Sequence, residues 1–358
     1  MRWLLFAIVA LLASGPLRAG SVEPFGGEVM TGKVELEFGG ILFRAEQNGT
    51  AVKMDFNNLY RVQFKDPAAD EFSPGVVLRD GSRLTAPFGP LSEPAIAFPK
   101  RNLAIPSGEI AWIIYQRFPA AIASNAPAGQ TGALLPGGDF FAGTIRGADA
   151  EAVKVFHSIF GLRRLEARQR EVLAAVLRAA RPLAAQYEIR TTDGALFGVE
   201  NFGPERTGVT LRHALYDGLK LAADEVVEIR AGANRCRVLA TLPQLRAEPP
   251  DGMRLGPEGA LITDINTVAT CAVPPGFTEF VTRVAPGAGL PAGQRIVFTI
   301  YADGKPVART TPLAAGDPAQ PLRVALNAAR GLTFRVESAS GPAAGGSGRW
   351  MQAFFLRR

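Results

Sequence analysis

The chain has 358 residues, with 39 Lys and Arg against 33 Asp and Glu for a formal net charge of +6. At 47% hydrophobic and 20% charged it can bury real cores, which excludes a disordered or solvating polypeptide. Its two histidines, two cysteines and three tryptophans argue against a His/Cys zinc site, a multi-disulfide scaffold and a haem protein.

Met1, Arg2 and Trp3 form a short basic start, and residues 4–13 are an unbroken apolar run. That run is too short for a membrane-spanning helix, which needs about 20 residues. Ser14, Gly15 and Pro16 break it, and Leu17-Arg18-Ala19 follows as a small-residue cleavage site. The three-part pattern predicts a secretory signal over 1–19. The mature protein is then expected in the periplasm or outside a bacterial cell, with no membrane span after cleavage. The densest cationic patch is Arg163, Arg164, Arg168 and Arg170, interleaved with Glu166 and Glu171. It reads as a solvated face, and no nucleic-acid partner is expected.

Four segments open alike, each with an apolar strand, a glycine turn and a second strand. They begin at Gly27, Val76, Ala133 and Tyr187, and the turn glycines Gly27, Gly81, Gly138 and Gly194 are spaced by 54, 57 and 56 residues. Asp80-Gly81 and Asp193-Gly194 are hairpin pairs, because glycine takes positive φ without a Cβ clash. Period-two alternation at Val209, Leu211, Leu219 and Leu221 leads to Val226 and Ile229, giving strands with one buried face. The expected organisation is repeats one and two over 20–118 and repeats three and four over 133–234, with a small-residue linker at 120–132. Within repeat three, residues 162–180 have helix-former composition, with Leu165, Val172, Leu173, Val176 and Leu177 near one stripe. Composition favours a helix there; the repeat requires a strand. Units of this kind resemble the small Sm-like and SH3-like barrels.

From residue 235 the style changes. Residues 278–286, 295–313, 321–341 and 349–358 read as strands of an antiparallel β-sandwich, with a hairpin turn at Asp303-Gly304. The fold class is therefore mainly β: tandem small barrel-like repeats, then a sandwich.

Four phrases within 235–358 resemble the NPCBM family of carbohydrate-binding modules, which have a galactose-binding-like β-sandwich. They are RVLATLPQLRAEPPDG at 237–252, FTEFVTRVAPGAGLPAGQRIVFTIYADGK at 277–305, LAAGDPAQPLRVALNAARGLTFRV at 313–336, and the last strand around Trp350. The resemblance implies a bound glycan. Two departures stand out: residues 259–270 lack the family's histidine-bearing phrase, and the tryptophan lacks its acidic partner. Arg349 and Gln352 are the polar groups left beside Trp350, the candidate sugar-stacking ring, with Tyr301 a second aromatic candidate.

No catalytic set is expected. His157 and His213 hold the same place in repeats three and four, which marks a scaffold position; Asp217 lies four residues beyond His213. No nucleophile elbow, P-loop or zinc-protease motif occurs, so neither a metal nor a cofactor is implied. The glycine-rich stretch 341–348 lies between strands with no helix after it and reads as a loop. In an oxidising compartment Cys236 and Cys271 are a candidate disulfide tying the lead-in strand to the sandwich. The expected function is non-catalytic binding of a glycan or cell-surface polymer. The alternative is a structural or protein-interaction component of the cell envelope whose sandwich has lost its sugar site.

Overall fold

The computed structural model describes residues 19–46, 49–66, 71–89, 94–339, 341 and 345–357. The expected signal segment lies outside these except for Ala19. The described chain is mainly β, with one short α-helix, Ala120–Ala123, in the expected linker.

A single strand plan recurs four times. First and second strands pair as Ala19–Pro24 with Met30–Glu37, Gly75–Leu78 with Arg83–Thr85, Gly132–Leu134 with Phe140–Ala142, and Tyr187–Thr191 with Leu196–Val199. A closing strand returns along the other side of the first: Leu59–Gln63, Ile110–Ile114, Ala174–Val176 and Val226–Ala231 respectively. Val22 faces Val62, Val76 faces Ile113, Ala133 faces Ala175 and Ile189 faces Ile229. All eight are at most 1% exposed. Gly81, Gly138 and Gly194 share one turn: each N–H bonds the carbonyl of Leu78, Leu135 or Thr191. Their φ values of +91°, +85° and +92° are the left-handed region that a Cβ disfavours. The first turn is displaced by one residue. Gly27 bonds the Pro24 carbonyl, but Gly26 takes the positive φ of +69°.

The four units fuse edge to edge. The closing strands of units one and four pair, with Val62 opposite Ile229, and those of two and three pair, with Ile113 opposite Ala175. The second strands of units two and four meet where Arg83 faces Leu196. The result is one 14-stranded antiparallel sheet with the units in spatial order three, two, four, one. One apolar core runs through all four, from Val22 and Val76 to Val153 and Ile229.

Residues 162–180 are not helical. Gly161–Glu166 pairs with Ala152–His157, and Ala174–Val176 lies between the first strand of unit three and the closing strand of unit two. Val172, Ala174 and Ala175 are fully buried, Val176 nearly so. Helix propensity is a weak prior that tertiary context overrides, and pairing on both edges decides the outcome here.

The C-terminal region is a sandwich of two six-stranded antiparallel sheets. One is built on Ser347–Leu356 and Glu279–Pro286, the other on Gly331–Ser338 and Arg295–Ala302. Phe280, Phe298, Phe334, Trp350 and Phe355 fill the space between them. The expected disulfide is absent, and both cysteines are free and buried. Cys236 pairs with Leu356 on one sheet and joins an apolar cluster with Ala231 and Phe354. Cys271 pairs with Leu332 on the opposite sheet and points into the sandwich core. The two thiols thus belong to different cores.

Burial pushes both thiols up, Cys271 to about 12. A thiol reagent should therefore read almost no reactive thiol in the native protein at neutral pH and two after unfolding without reductant. A reading of none after unfolding would reinstate the disulfide.

Candidate functional site

Trp350 sits in the middle of the sandwich. The ring is 1% exposed and is met edge-on by Phe298 at 5.1 Å and Phe334 at 5.3 Å. Its Nε1–H donates to Thr263 Oγ1 at 3.0 Å, so its one polar group is satisfied inside the core. Gly348, two residues earlier, lets Phe298 approach; a Cβ there would stand 2.4 Å from the Phe298 ring. No face of the indole is open to a ligand, and its expected role as a stacking platform is corrected to a core role. Tyr301 is partly exposed on the outer face of the other sheet, under the Arg335 guanidinium at 5.2 Å.

The polar neighbours of Trp350 are also engaged. Arg349 Nε donates to the Pro286 carbonyl at 3.2 Å. Gln352 takes a positive φ of +49° beside an irregularity in the pairing with Glu279–Pro286. There its amide donates to Glu23 Oε1 of unit one at 3.0 Å. Burial holds the Glu23 carboxyl above the ordinary range, with Arg61 at 3.0 Å opposing that shift. Around this contact Phe354 lies 4.5 Å from Tyr60 and 5.7 Å from Phe25, and Arg283 pairs with Glu28. The outer face of the tryptophan-bearing sheet is therefore the docking face for unit one.

Docking creates a cleft of about 660 Å³ where units one and four meet the ends of the sandwich segment. Tyr187 stands in its wall, edge-on to Phe202 at 5.0 Å, with Phe202 in turn against Phe56 at 4.8 Å. The buried Arg235 fixes Tyr187 from behind: its guanidinium lies 4.8 Å from the ring centroid and donates to the Tyr187 hydroxyl and to the Asn57 carbonyl. Tyr187 OH donates to Asn57 Oδ1 at 3.2 Å. Burial raises the Tyr187 hydroxyl above its ordinary range. Exposed Asp55, Asn57, Asn58, Glu200, Asn201 and Arg357 line the mouth. This set combines aromatic rings with amides, carboxylates and a guanidinium, the groups that read hydroxyls by hydrogen bonding. A smaller cleft of about 340 Å³ lies at one end of the sandwich beside the Arg254–Asp264 pair, with Asn266 and Ser347.

The sequence offered little warning of the junction cleft. Its residues are spread from Gly39 to Arg357. The one local signal was the Tyr187 strand, which the repeat identified for its turn and not for its ring.

The two histidines hold equivalent structural positions. His157 Nδ1 accepts from Ile159 N at 3.1 Å, and His213 Nδ1 accepts from Leu215 N at 3.2 Å. His213 Nε2 meets Asp80 of unit two at 3.2 Å, while Asp217 pairs with Arg212. Among the described residues no group of three or more His, Cys, Asp or Glu is placed to hold a metal ion. No described helix is long and apolar enough to cross a membrane.

Residues 271–356 match the NPCBM/NEW2 domain family. No curated protein matches the chain. Among solved structures, the CBM51-2 and INT domains of Clostridium perfringens ZmpB are similar at 14% identity over 57% of this chain and 43% of that one, with a TM-score of 0.29. CBM51 from Clostridium perfringens GH95, in complex with methyl-galactose, is similar at 14% identity over 34% of this chain and 99% of that one, with a TM-score of 0.28. The tandem CBM51 modules of Sp3GH98, the family 98 glycoside hydrolase from Streptococcus pneumoniae SP3-BS71, are similar at 13% identity over 48% and 71%, with a TM-score of 0.29. The chain thus spans less than half the length of the first of these structures.

Because Trp350 is a core residue, Trp350→Ala should lower the stability of the sandwich by about 3–5 kcal/mol. Denaturant unfolding followed by aromatic fluorescence would measure it. An unchanged midpoint would place the ring outside the core.

Proposed function

We propose that this is an exported, non-catalytic protein that binds a glycan or cell-surface polymer. The match of residues 271–356 to the NPCBM/NEW2 domain family carries the reading. The fold agrees with it, since that segment lies in a sandwich with a continuous aromatic core. Division of the chain into units at 20–118, 133–234 and 235–358, with a cleaved signal before them, belongs to the same proposal.

With Trp350 in the core and Gln352 on Glu23, the ligand is assigned to the junction cleft. Tyr187 supplies apolar ring surface there, and Asp55, Asn57, Glu200 and Asn201 supply acceptors and donors at its mouth. Removing apolar sugar surface from water contributes roughly 25 cal/mol per Å². Each well-placed hydrogen bond adds about 1 kcal/mol. The second reading is a structural component of the envelope. It draws support from the sandwich face given over to Phe25 and Tyr60, which spends the tryptophan-bearing sheet on internal packing.

A glycan array with the full chain separates the two. Binding to a defined glycan class is expected, with Glu200→Ala and Asn201→Ala each weakening it about threefold to tenfold. Binding lost instead in Arg254→Ala would move the ligand to the end cleft of the sandwich. No binding to any glycan would favour the structural reading.

A further inference from the structure

Four of the nine large exposed apolar side chains among the described residues fall within seven positions of unit three. They are Phe156 at 42% exposed, Ile159 at 79%, Phe160 at 57% and Leu162 at 58%. All lie at the tip of the hairpin formed by Ala152–His157 and Gly161–Glu166. The tip has defined packing: His157 stacks on Phe141 at 5.3 Å and lies 4.9 Å from Phe160. Its Nδ1 accepts the Ile159 N–H.

Unit four provides an internal comparison. The turn there is built on His213 with the matching Nδ1 bond to the Leu215 N–H. The residue matching Phe160 is Tyr216, stacked on His213 at 4.2 Å and only 1% exposed. Its hydroxyl bonds the Gly198 carbonyl and contacts Ser82 Oγ of unit two at 3.0 Å. Unit four lies inside the row of units and unit three at its end. One turn is thus covered by a neighbouring unit while its counterpart presents apolar side chains to solvent.

The charges say what would cover it. One rung below the Phe156–Leu162 pair comes Arg163, opposite Val155, and the next rung is Lys154 opposite Arg164. Arg146 lies 5.6 Å from the Phe156 ring centroid. Like charges directly opposite are unfavourable in a sheet. The nearest carboxylate on the hairpin is Glu166, two rungs farther down, which bonds Arg164 at 2.5 Å. Glu151 stands at the same base, paired with Arg168 at 3.1 Å. The hairpin is therefore apolar at its end, cationic in a collar behind it, and acidic only at its root.

We propose that this tip docks into the interfacial region of an anionic lipid bilayer. Ile159 and Phe160 enter the boundary between headgroups and acyl chains, while Lys154, Arg163 and Arg146 meet lipid phosphates. Interfacial binding of this kind scales with buried apolar area plus attraction to anionic headgroups. It requires no membrane-spanning segment. It is independent of the glycan reading, because no residue of the junction cleft takes part.

The test is flotation of the full chain with vesicles of phosphatidylcholine and phosphatidylglycerol, against vesicles of phosphatidylcholine alone. Binding is expected to the anionic vesicles, with release at high salt. The double variant Ile159→Asp, Phe160→Asp should lose at least tenfold in partitioning. Lys154→Gln and Arg163→Gln should each lose about fivefold. Since the altered side chains are exposed, the variants should melt with the wild type. As a measurement that leaves the tip apolar, Phe160→Trp should gain a blue-shifted emission on anionic vesicles that wild type lacks. No flotation of the wild type, equal flotation of the Asp variants, or an unshifted emission from Phe160→Trp would overturn the proposal. So would a wild-type dimer in sedimentation that the Asp variants convert to monomer, since a second copy would then occupy the tip.

Discussion

Pairing between closing strands is the interaction on which the first two-thirds of this molecule depends. A unit of some 45 residues buries too little surface to be secure alone, and a free strand edge invites uncontrolled pairing. Here the closing strand of each unit becomes an interior strand. Val62 is held between Val22 and Ile229, and Ile113 between Val76 and Ala175. Because like strands pair antiparallel, each junction has local two-fold character. Closing strands join unit one to four and two to three, and the second strands of two and four bridge these pairs, which gives the spatial order three, two, four, one.

The sandwich depends on the same arrangement. Joining units one and four brings Phe25, Tyr60 and Ala231 to one side of the sheet, where they meet Val281, Phe354 and Leu356. Gln352 and Glu23 close the contact through a hydrogen bond between two largely sequestered polar groups. The strand that carries Trp350 turns its outer face to unit one, through Gln352 on Glu23 and Phe354 on Tyr60 and Phe25. Room for a ligand then opens at the seam, where Tyr187 of unit four and Asn57 of unit one come under Arg235.

Local rules made much of the fold legible. The 54, 57 and 56 spacing of the turn glycines is also the spacing of Val22, Val76, Ala133 and Ile189, since turn and strand are set by adjacent residues. The equivalent histidines were readable because an Nδ1 acceptor two residues before a turn N–H is a local device. Long-range features were not. Whether residues 174–176 form a strand depends on partners some 40 and 60 residues away, and short-range composition pointed to a helix. The cysteine reading rested on compartment and on position at the entry to the sandwich, whereas the fold puts the two thiols on different sheets and in separate apolar clusters. Trp350 presents the same sequence signature whether its ring meets solvent or Phe298.

The four β units form one continuous sheet because their closing strands pair one with four and two with three, and the second strands of two and four bridge the pairs. Native-state hydrogen exchange on the full chain tests it directly. Amides at the junction strands, 61–63 with 228–230 and 112–114 with 174–176, should open only with the units they join, at the protection of the central first strands. Junction amides that exchange rapidly while the first strands stay protected would show the units to be separate bodies, and would contradict it.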